Sequence, residues 1–244
     1  METVVGNNGV SHSIKHRLRF NWTPLAYINS SWLAEWITDS ALSQVKLVPT
    51  ACAQINQFLL EEYQLLSPIE AEEFDDPVLG ALIRAPVDID IILLYLGLVL
   101  HHSSIRNIIC GQKQRELKQE IGDVAYFFTL TRAPFVVGSI HNRITSEVMN
   151  AEFTIDQVPI DRQRYISSGL VLFSCITRHL TSASKSRVSL LFHRQLSDVL
   201  YSLWESPRGN YSNGQVEDKE FEHTIETLFH KVIQESQCNE QCHQ

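Results

Sequence analysis

Apolar side chains recur every three to four residues along most of this 244-residue chain, the spacing that places them on one face of an α-helix. Prolines bound some of these runs: Pro49 opens one, and Pro68 follows its end. We therefore predict helices over the following runs: Ser30 or Ser31 to Ile37, Thr50 to Tyr63, Leu79 to Ile83, Ile89 to Leu100, Ile105 to Ile109, Leu117 to Phe128, Tyr165 to Leu180 and Val188 to Leu203.

The most apolar run comprises residues 91–100 and lies between Asp90 and His101. A membrane span needs roughly 20 apolar residues, about twice this length, so we predict a buried core helix. Asp88 precedes the run and is its candidate N-cap, because a carboxylate there accepts a hydrogen bond from an otherwise unpaired amide.

Three stretches depart from helical spacing. Residues 18–21 alternate apolar and polar side chains before Pro24, which predicts a short extended arm. Residues 70–77 are acidic and predict a loop or a short helix. The least regular stretch runs from Pro134 to residue 157 and is the candidate seam of the fold. The predicted fold class is mainly α, a compact multi-helix globular protein with at most a minor β-hairpin around 148–158.

The C-terminal region predicts an amphipathic helix whose apolar stripe must be covered, either by the protein's own core or by a partner. The stripe contains Phe221, Ile225, Leu228, Phe229, Val232 and Ile233. The predicted organisation is a flexible segment 1–17, a helical domain 18–205, a flexible loop 206–216, the C-terminal helix 217–237 and a tail 238–244.

The charge balance argues against a nucleic-acid partner. The chain has 28 acidic and 20 basic side chains, a formal net charge of -8, whereas phosphate-binding proteins gain affinity from an excess of Lys and Arg. The basic cluster at residues 15–19 is short and is interpreted as solvated. The polar N-terminus lacks the apolar region of a secretory signal, which predicts a cytoplasmic location.

The five cysteines are odd in number and scattered, so no disulfide framework is predicted. Cys52, Cys110 and Cys175 are interpreted as small buried apolar residues. Cys238, Cys242 and the neighbouring His243 have partial zinc-ligand spacing without a second cysteine pair, and are interpreted as an exposed tail.

Catalytic motifs are missing from the sequence. There is no Gly-x-Ser-x-Gly elbow, phosphate-binding loop or Gly-x-Gly-x-x-Gly turn. His101 and His102 are adjacent, so on a helix they point about 100° apart and do not chelate one metal together; both are predicted to be structural. Asp88 and Asp90 are explained by helix capping. We predict no enzymatic activity, cofactor or small-molecule substrate.

The four tryptophans have two open interpretations. Trp is frequent in binding hot spots, although core packing is the favoured interpretation for any one of the four. Trp22, Trp32, Trp36 and Trp204 are therefore each a core residue or an interface anchor, and Trp36 is retained as a candidate partner-binding residue.

Two stretches carry a family resemblance. Residues 18–28 read Leu-Arg-Phe-Asn-Trp-Thr-Pro-Leu-Ala-Tyr-Ile, and residues 93–109 contain Leu-Gly-Leu-Val-Leu-His followed by Ile-Arg. In this order the motifs resemble the SctK family (YscK, PscK and HrpD type) of type III secretion sorting-platform proteins. The match covers residues 18–130 and becomes faint beyond Pro159.

The resemblance implies a cytoplasmic adaptor that links the cytosolic domain of the inner-membrane ring protein to the pod protein carrying the ATPase complex. Such a protein is peripheral at the cytoplasmic face of the inner membrane. Among the matched positions, Phe20 and Trp32 are expected to hold the N-terminal arm on the core, and Arg106 to be exposed and to contact a partner.

Two other functions stay open. A type III secretion chaperone or regulatory adaptor would bind a secreted client through the C-terminal helix, with Phe221 and Ile225 as candidate contacts. A small-molecule enzyme is the third alternative, and a turnover screen tests it.

Overall fold

The computed structural model describes residues 7–84, 88–137, 160–206 and 227–235. Within those ranges the chain forms twelve α-helices, three 3₁₀ helices and no strand, which confirms the mainly α fold class. The helices are α1 Asn7–Trp22, α2 Asp39–Val45, α3 Pro49–Glu62, α4 Pro77–Arg84, α5 Ile89–Arg106, α6 Gly111–Ile121, α7 Asp123–Thr131, α8 Ala133–Val137, α9 Arg162–Ile176, α10 Ser182–Ser189, α11 Arg194–Glu205 and α12 (227–235).

The described residues group into two compact units, each built from two separate parts of the chain. Unit 1 contains residues up to 86 together with 179–201, and unit 2 contains 87–178 together with residues from 202 onward. The divisions fall near 86, 178 and 201. The predicted hairpin at 148–158 and the cysteine tail lie outside the described residues.

Unit 1 packs its helices around two apolar clusters. One cluster is formed by Leu25, Leu33, Leu42 and Leu59, and the other by Trp32, Leu60, Leu65 and Leu190. The buried Trp32 indole donates a hydrogen bond from Nε1 to the Phe192 carbonyl over 2.9 Å, so its polar edge is satisfied within the core. Phe20 is also buried, as expected for a residue that holds the N-terminal region on this unit.

The N-terminal arm is helical, so the predicted extended conformation at residues 18–21 is wrong. Helix α1 runs from Asn7 to Trp22 and includes part of the segment assigned as flexible. The alternation misleads because Leu18 is exposed while Asn21 is buried. The Asn21 amide donates to the Ile69 carbonyl over 3.1 Å and accepts from the Ile69 amide over 2.9 Å, which replaces its lost hydration.

The helix predicted from Ser30 or Ser31 is also wrong. Asn29 caps a single 3₁₀ turn at Ser30–Trp32, and the chain then turns towards α2. Ser31 instead accepts the Arg194 amide over 3.0 Å, so it caps the distant α11.

The predicted single helix from Val188 to Leu203 is divided into α10 and α11. The Leu190 and Phe192 carbonyls accept tertiary hydrogen bonds from the Asn29 amide and the Trp32 indole. Because those carbonyls are engaged elsewhere, the helix ends and restarts at Arg194.

Unit 2 is built on a close antiparallel contact between α5 and α9. A Cβ at Gly97 would lie 1.9 Å from the Tyr165 carbonyl oxygen, and one at Gly169 would lie 1.9 Å from that of Leu93. Each helix therefore presents a glycine to the backbone of the other, and the two backbones meet without intervening side chains.

The apolar run at residues 91–100 is the centre of unit 2, which confirms the predicted core helix. By length and hydropathy α5 alone among the described helices qualifies as a candidate membrane span, but most of it is buried within the protein. The Asp88 carboxylate accepts the Asp90 amide over 3.0 Å, so the predicted N-cap is confirmed.

Several boundaries in unit 2 differ from prediction. Helix α5 continues beyond Leu100 to Arg106, so the separate helix predicted from Ile105 to Ile109 is absent from the described residues, and α6 begins at Gly111. Gly122 adopts φ 87°, a left-handed conformation that favours glycine, and separates α6 from α7. Cys110 is exposed at the N-cap of α6, which corrects its assignment as a buried residue.

Candidate protein-interaction surface

The structure places two of the four candidate partner-binding residues on exposed surfaces. Trp36 follows the 3₁₀ turn in unit 1, and its side chain is 48% exposed. Arg106 is exposed in the last turn of α5 in unit 2, where a cation is favoured by the helix dipole. Phe221 and Ile225 lie outside the described residues.

Trp36 contacts a second exposed aromatic side chain. Its ring centroid lies 5.2 Å from that of Phe58 on α3, with the planes at 88°, an edge-to-face arrangement that stabilises aromatic pairs. Phe58 is 43% exposed. Two large aromatic side chains thus share one solvent-facing site, which we call the Trp36 surface together with the adjoining Tyr63.

Tyr63 connects this surface to the core of unit 1. Its ring lies 6.4 Å from Trp36 and 5.2 Å from the buried Trp32. The Tyr63 hydroxyl donates to the Trp32 carbonyl over 3.3 Å. The exposed Trp36 ring is therefore supported by the partly buried Tyr63 and, through it, by the buried Trp32, an arrangement that lowers the entropy lost when a partner binds.

Charged side chains surround the aromatic rings. Glu35 precedes Trp36 in the chain and pairs with Arg194 over 2.6 Å. Burial raises the pKa of Tyr63; the charge of Arg194 opposes that shift, and Glu62 and Glu35 add to it. The three charged groups consequently lie close enough to the phenol to affect its ionisation. An apolar centre with a charged rim is the usual arrangement of a protein-binding surface.

Sequence reasoning missed two exposed aromatic residues in unit 2. Phe127 on α7 is 62% exposed and Phe135 on α8 is 82% exposed. Phe127 adjoins Phe128, whose ring is buried against Tyr95 at a centroid distance of 4.7 Å. Successive residues on a helix point about 100° apart, so a partly exposed helix that buries Phe128 turns Phe127 towards solvent, and two adjacent aromatic residues are the signal for Phe127.

The described part of the C-terminal helix has its apolar stripe covered. Leu228, Phe229, Val232 and Ile233 are buried in α12. The Phe229 ring lies 6.0 Å from Phe173 on α9, and Glu235 forms an ion pair with Arg132. Within residues 227–235 the stripe thus packs on the protein's own core.

Both central histidines are structural, as predicted. His101 Nε2 lies 3.0 Å from Ser168 Oγ, and its ring packs against Tyr165. Burial lowers the pKa of His101 to about 4, so the ring is neutral at pH 7. His102 Nδ1 lies 2.8 Å from the Val99 carbonyl, and burial also lowers its pKa. Among the described residues no His, Cys, Asp and Glu side chains group as metal ligands.

A shallow cleft of about 240 Å³ in unit 1 contains paired charges. Arg17 bonds Asp75 over 2.7 Å, and His179 bonds Asp76 over 2.6 Å. Burial acts to raise the pKa of Asp76, but hydrogen bonds from His179 and the Leu79 amide leave it below its usual value. These contacts connect α1 and the segment before α10 to the 3₁₀ turn that precedes α4, a structural role.

The described residues define an all-α protein with exposed aromatic side chains supported by a packed core. The family model YOP proteins translocation protein K (YscK) matches residues 14–244. This chain therefore belongs to the YscK family of type III secretion proteins, the family indicated by its two sequence motifs. No curated protein and no solved structure matches it.

Proposed function

We propose that this protein is a non-catalytic adaptor of the type III secretion sorting platform. In this role it links the cytosolic domain of the inner-membrane ring protein to the pod protein that carries the ATPase complex, at the cytoplasmic face of the inner membrane. The observation that carries the proposal is membership of the YscK family over residues 14–244. The exposed aromatic pair of Trp36 and Phe58 supports it, since such residues dominate binding energies at protein interfaces.

The alternative of a chaperone that binds its client through the C-terminal helix has less support. In the described part of that helix, the apolar side chains are buried against the protein itself. A client would have to displace them or use residues 217–226, which include Phe221 and Ile225.

The first test is affinity purification of the tagged protein from its native host, followed by mass spectrometry. The adaptor role predicts recovery of both the pod protein and the inner-ring protein at comparable levels. Recovery of one secreted protein without either platform component would favour the chaperone function, and recovery of neither class would count against both.

Arg106→Glu should reduce this recovery without unfolding the protein, because Arg106 is exposed at the end of α5. Arg115→Glu is the matched control, since Arg115 is exposed on the next helix of the same unit. Thermal denaturation should give the same midpoint for all three proteins. Wild-type recovery of both partners by Arg106→Glu would remove Arg106 from the interface.

A further inference from the structure

The Trp36 surface has an acidic rim as well as an aromatic centre. Glu61 and Glu62 lie three and four residues after Phe58 on α3, so they share its face of the helix. Both are exposed, and Glu61 accepts a hydrogen bond from Gln57 over 2.5 Å. With Glu35 they contribute three negative charges, against one positive charge from Arg194.

We infer that the Trp36 surface is a docking site for a segment of a partner protein that carries apolar side chains flanked by Lys or Arg. The apolar side chains would cover the edge-to-face rings of Trp36 and Phe58, and the flanking cations would lie against Glu61 and Glu62. This inference rests on the proposed function, because it takes the partner to be a component of the secretion apparatus.

Charge complementarity selects this occupant over two others. A second copy of the chain would bring the same acidic rim against itself, in a protein whose formal net charge is -8. An anionic lipid surface would likewise be repelled by Glu61 and Glu62. A basic segment instead gains attraction at the rim, and depletion of charge at the centre suits its apolar side chains.

The exposure of the aromatic rings also favours a role in binding over a role in stability alone. A cluster contributes more to the stability of unit 1 the more ring area it buries, as Trp32 is buried at the inner end of this one. Trp36 and Phe58 instead leave nearly half of each side chain in solvent, while Tyr63 lies against Trp36 and Trp36 lies against Phe58. Covering that remaining apolar area is favourable for a partner.

The test is photocrosslinking in the native host with Phe58→p-benzoylphenylalanine. We expect crosslinks to a peptide of another secretion-apparatus protein in which Lys or Arg flanks apolar residues. Trp22→p-benzoylphenylalanine is the control, because Trp22 is another exposed aromatic residue of unit 1, at 43% exposure. Crosslinking at position 58 should exceed that at position 22 at least tenfold.

A pair of charge variants tests the rim. Glu61→Lys combined with Glu62→Lys should reduce the crosslink at least fivefold while the thermal midpoint stays unchanged. Glu116→Lys is the matched control, because Glu116 accepts a hydrogen bond from Gln112 four residues earlier, as Glu61 does from Gln57. Trp36→Ala should also abolish the crosslink.

Three outcomes would overturn the inference: a crosslink to a second copy of this chain, a crosslink to a segment without Lys or Arg, or no excess over the Trp22 control. Co-purification of the wild-type protein with the ring and pod proteins is measured in the same cells. If that recovery persists while the crosslink fails, the surface assignment is wrong and the adaptor function stands; if both fail, the function is wrong as well.

Discussion

At the scale of single residues, His101 shows how burial sets chemistry in unit 2. The ring lies between Ser168 and Tyr165 and is almost fully buried, so protonation would place a charge in the core. Burial holds the pKa of His101 at about 4 in the folded protein, below the usual 6.5 of a histidine, so the unfolded chain takes up a proton first as the pH falls. Folding stability must therefore decrease from about pH 6.5 towards pH 4.

We expect this histidine to remove about 2 kcal/mol of the free energy of unfolding between pH 7 and pH 5. Urea denaturation of the wild type and of His101→Gln at both pH values measures it. On acidification, the free energy of unfolding of the glutamine variant should decrease by about 2 kcal/mol less than that of the wild type. His193→Gln, at an exposed position of unit 1, is the control and should follow the wild type. Parallel pH dependence in all three proteins would refute the assignment.

Arg187 is another residue whose role depends on distant neighbours. It is almost fully buried, and its guanidinium donates to the Leu65 carbonyl and, over 2.9 Å, to the Ser67 carbonyl. Burial lowers its pKa, and the charge of Glu73 opposes that effect. No local pattern around Arg187 indicates burial, because the carbonyls that accept from its Nη2 lie about 120 residues earlier.

At the scale of elements, the crossing of α5 and α9 leaves no room for a side chain at its two glycines. Adding a methyl group at Gly97 would force it into the Tyr165 backbone, which cannot rotate away as a side chain can. We expect Gly97→Ala to destabilise the protein by about 3 kcal/mol or more. Gly111→Ala is the control, because a Cβ there meets nothing within 4 Å. Thermal denaturation measures both variants. Similar midpoints for the two would show that α5 and α9 can move apart with little loss of free energy of unfolding.

The C-terminal helix yields a prediction that separates two functions. Deletion of residues 217–244 removes four buried side chains, Leu228, Phe229, Val232 and Ile233, each worth about 1.5–3 kcal/mol of burial. That sum is comparable to the entire stability of a typical domain. We expect the deletion to unfold unit 2, seen as loss of near-ultraviolet circular dichroism. A folded, soluble product that lacks only a client would support the chaperone alternative.

At the scale of the whole molecule, the division into two units predicts that a destabilising substitution acts mainly on the unit that contains it. Ile105 in unit 2 and Ile69 in unit 1 are both buried, and Ile→Val at either costs about 0.5–1.5 kcal/mol. Native-state hydrogen exchange should accelerate mainly in the described residues of unit 2 for Ile105→Val, and mainly in those of unit 1 for Ile69→Val. An equal increase throughout the chain in both variants would show that the units unfold together.

Much of the helical organisation follows from local sequence. The period of apolar residues predicts α3, α5 and α9, Pro49 marks the start of α3, and the position of Asp88 before an apolar run identifies it as a cap. These features depend on neighbours within one or two turns, which is the range that a sequence pattern records. Family membership also follows from the sequence, because the motifs at residues 18–28 and 93–109 are continuous stretches of the chain.

The tertiary structure decided which of the similar residues are exposed. Trp32 and Trp36 are the same residue type, four residues apart. Trp32 is buried and bonds the Phe192 carbonyl, whereas Trp36 faces solvent beside Phe58. Ser31 caps a helix 163 residues away, and Asn21 bonds Ile69. The local sequence therefore does not predict α1, the turn at Ser30 or the break before α11. Burial and hydrogen bonding between distant segments set these outcomes, because only the folded chain brings their partners within reach.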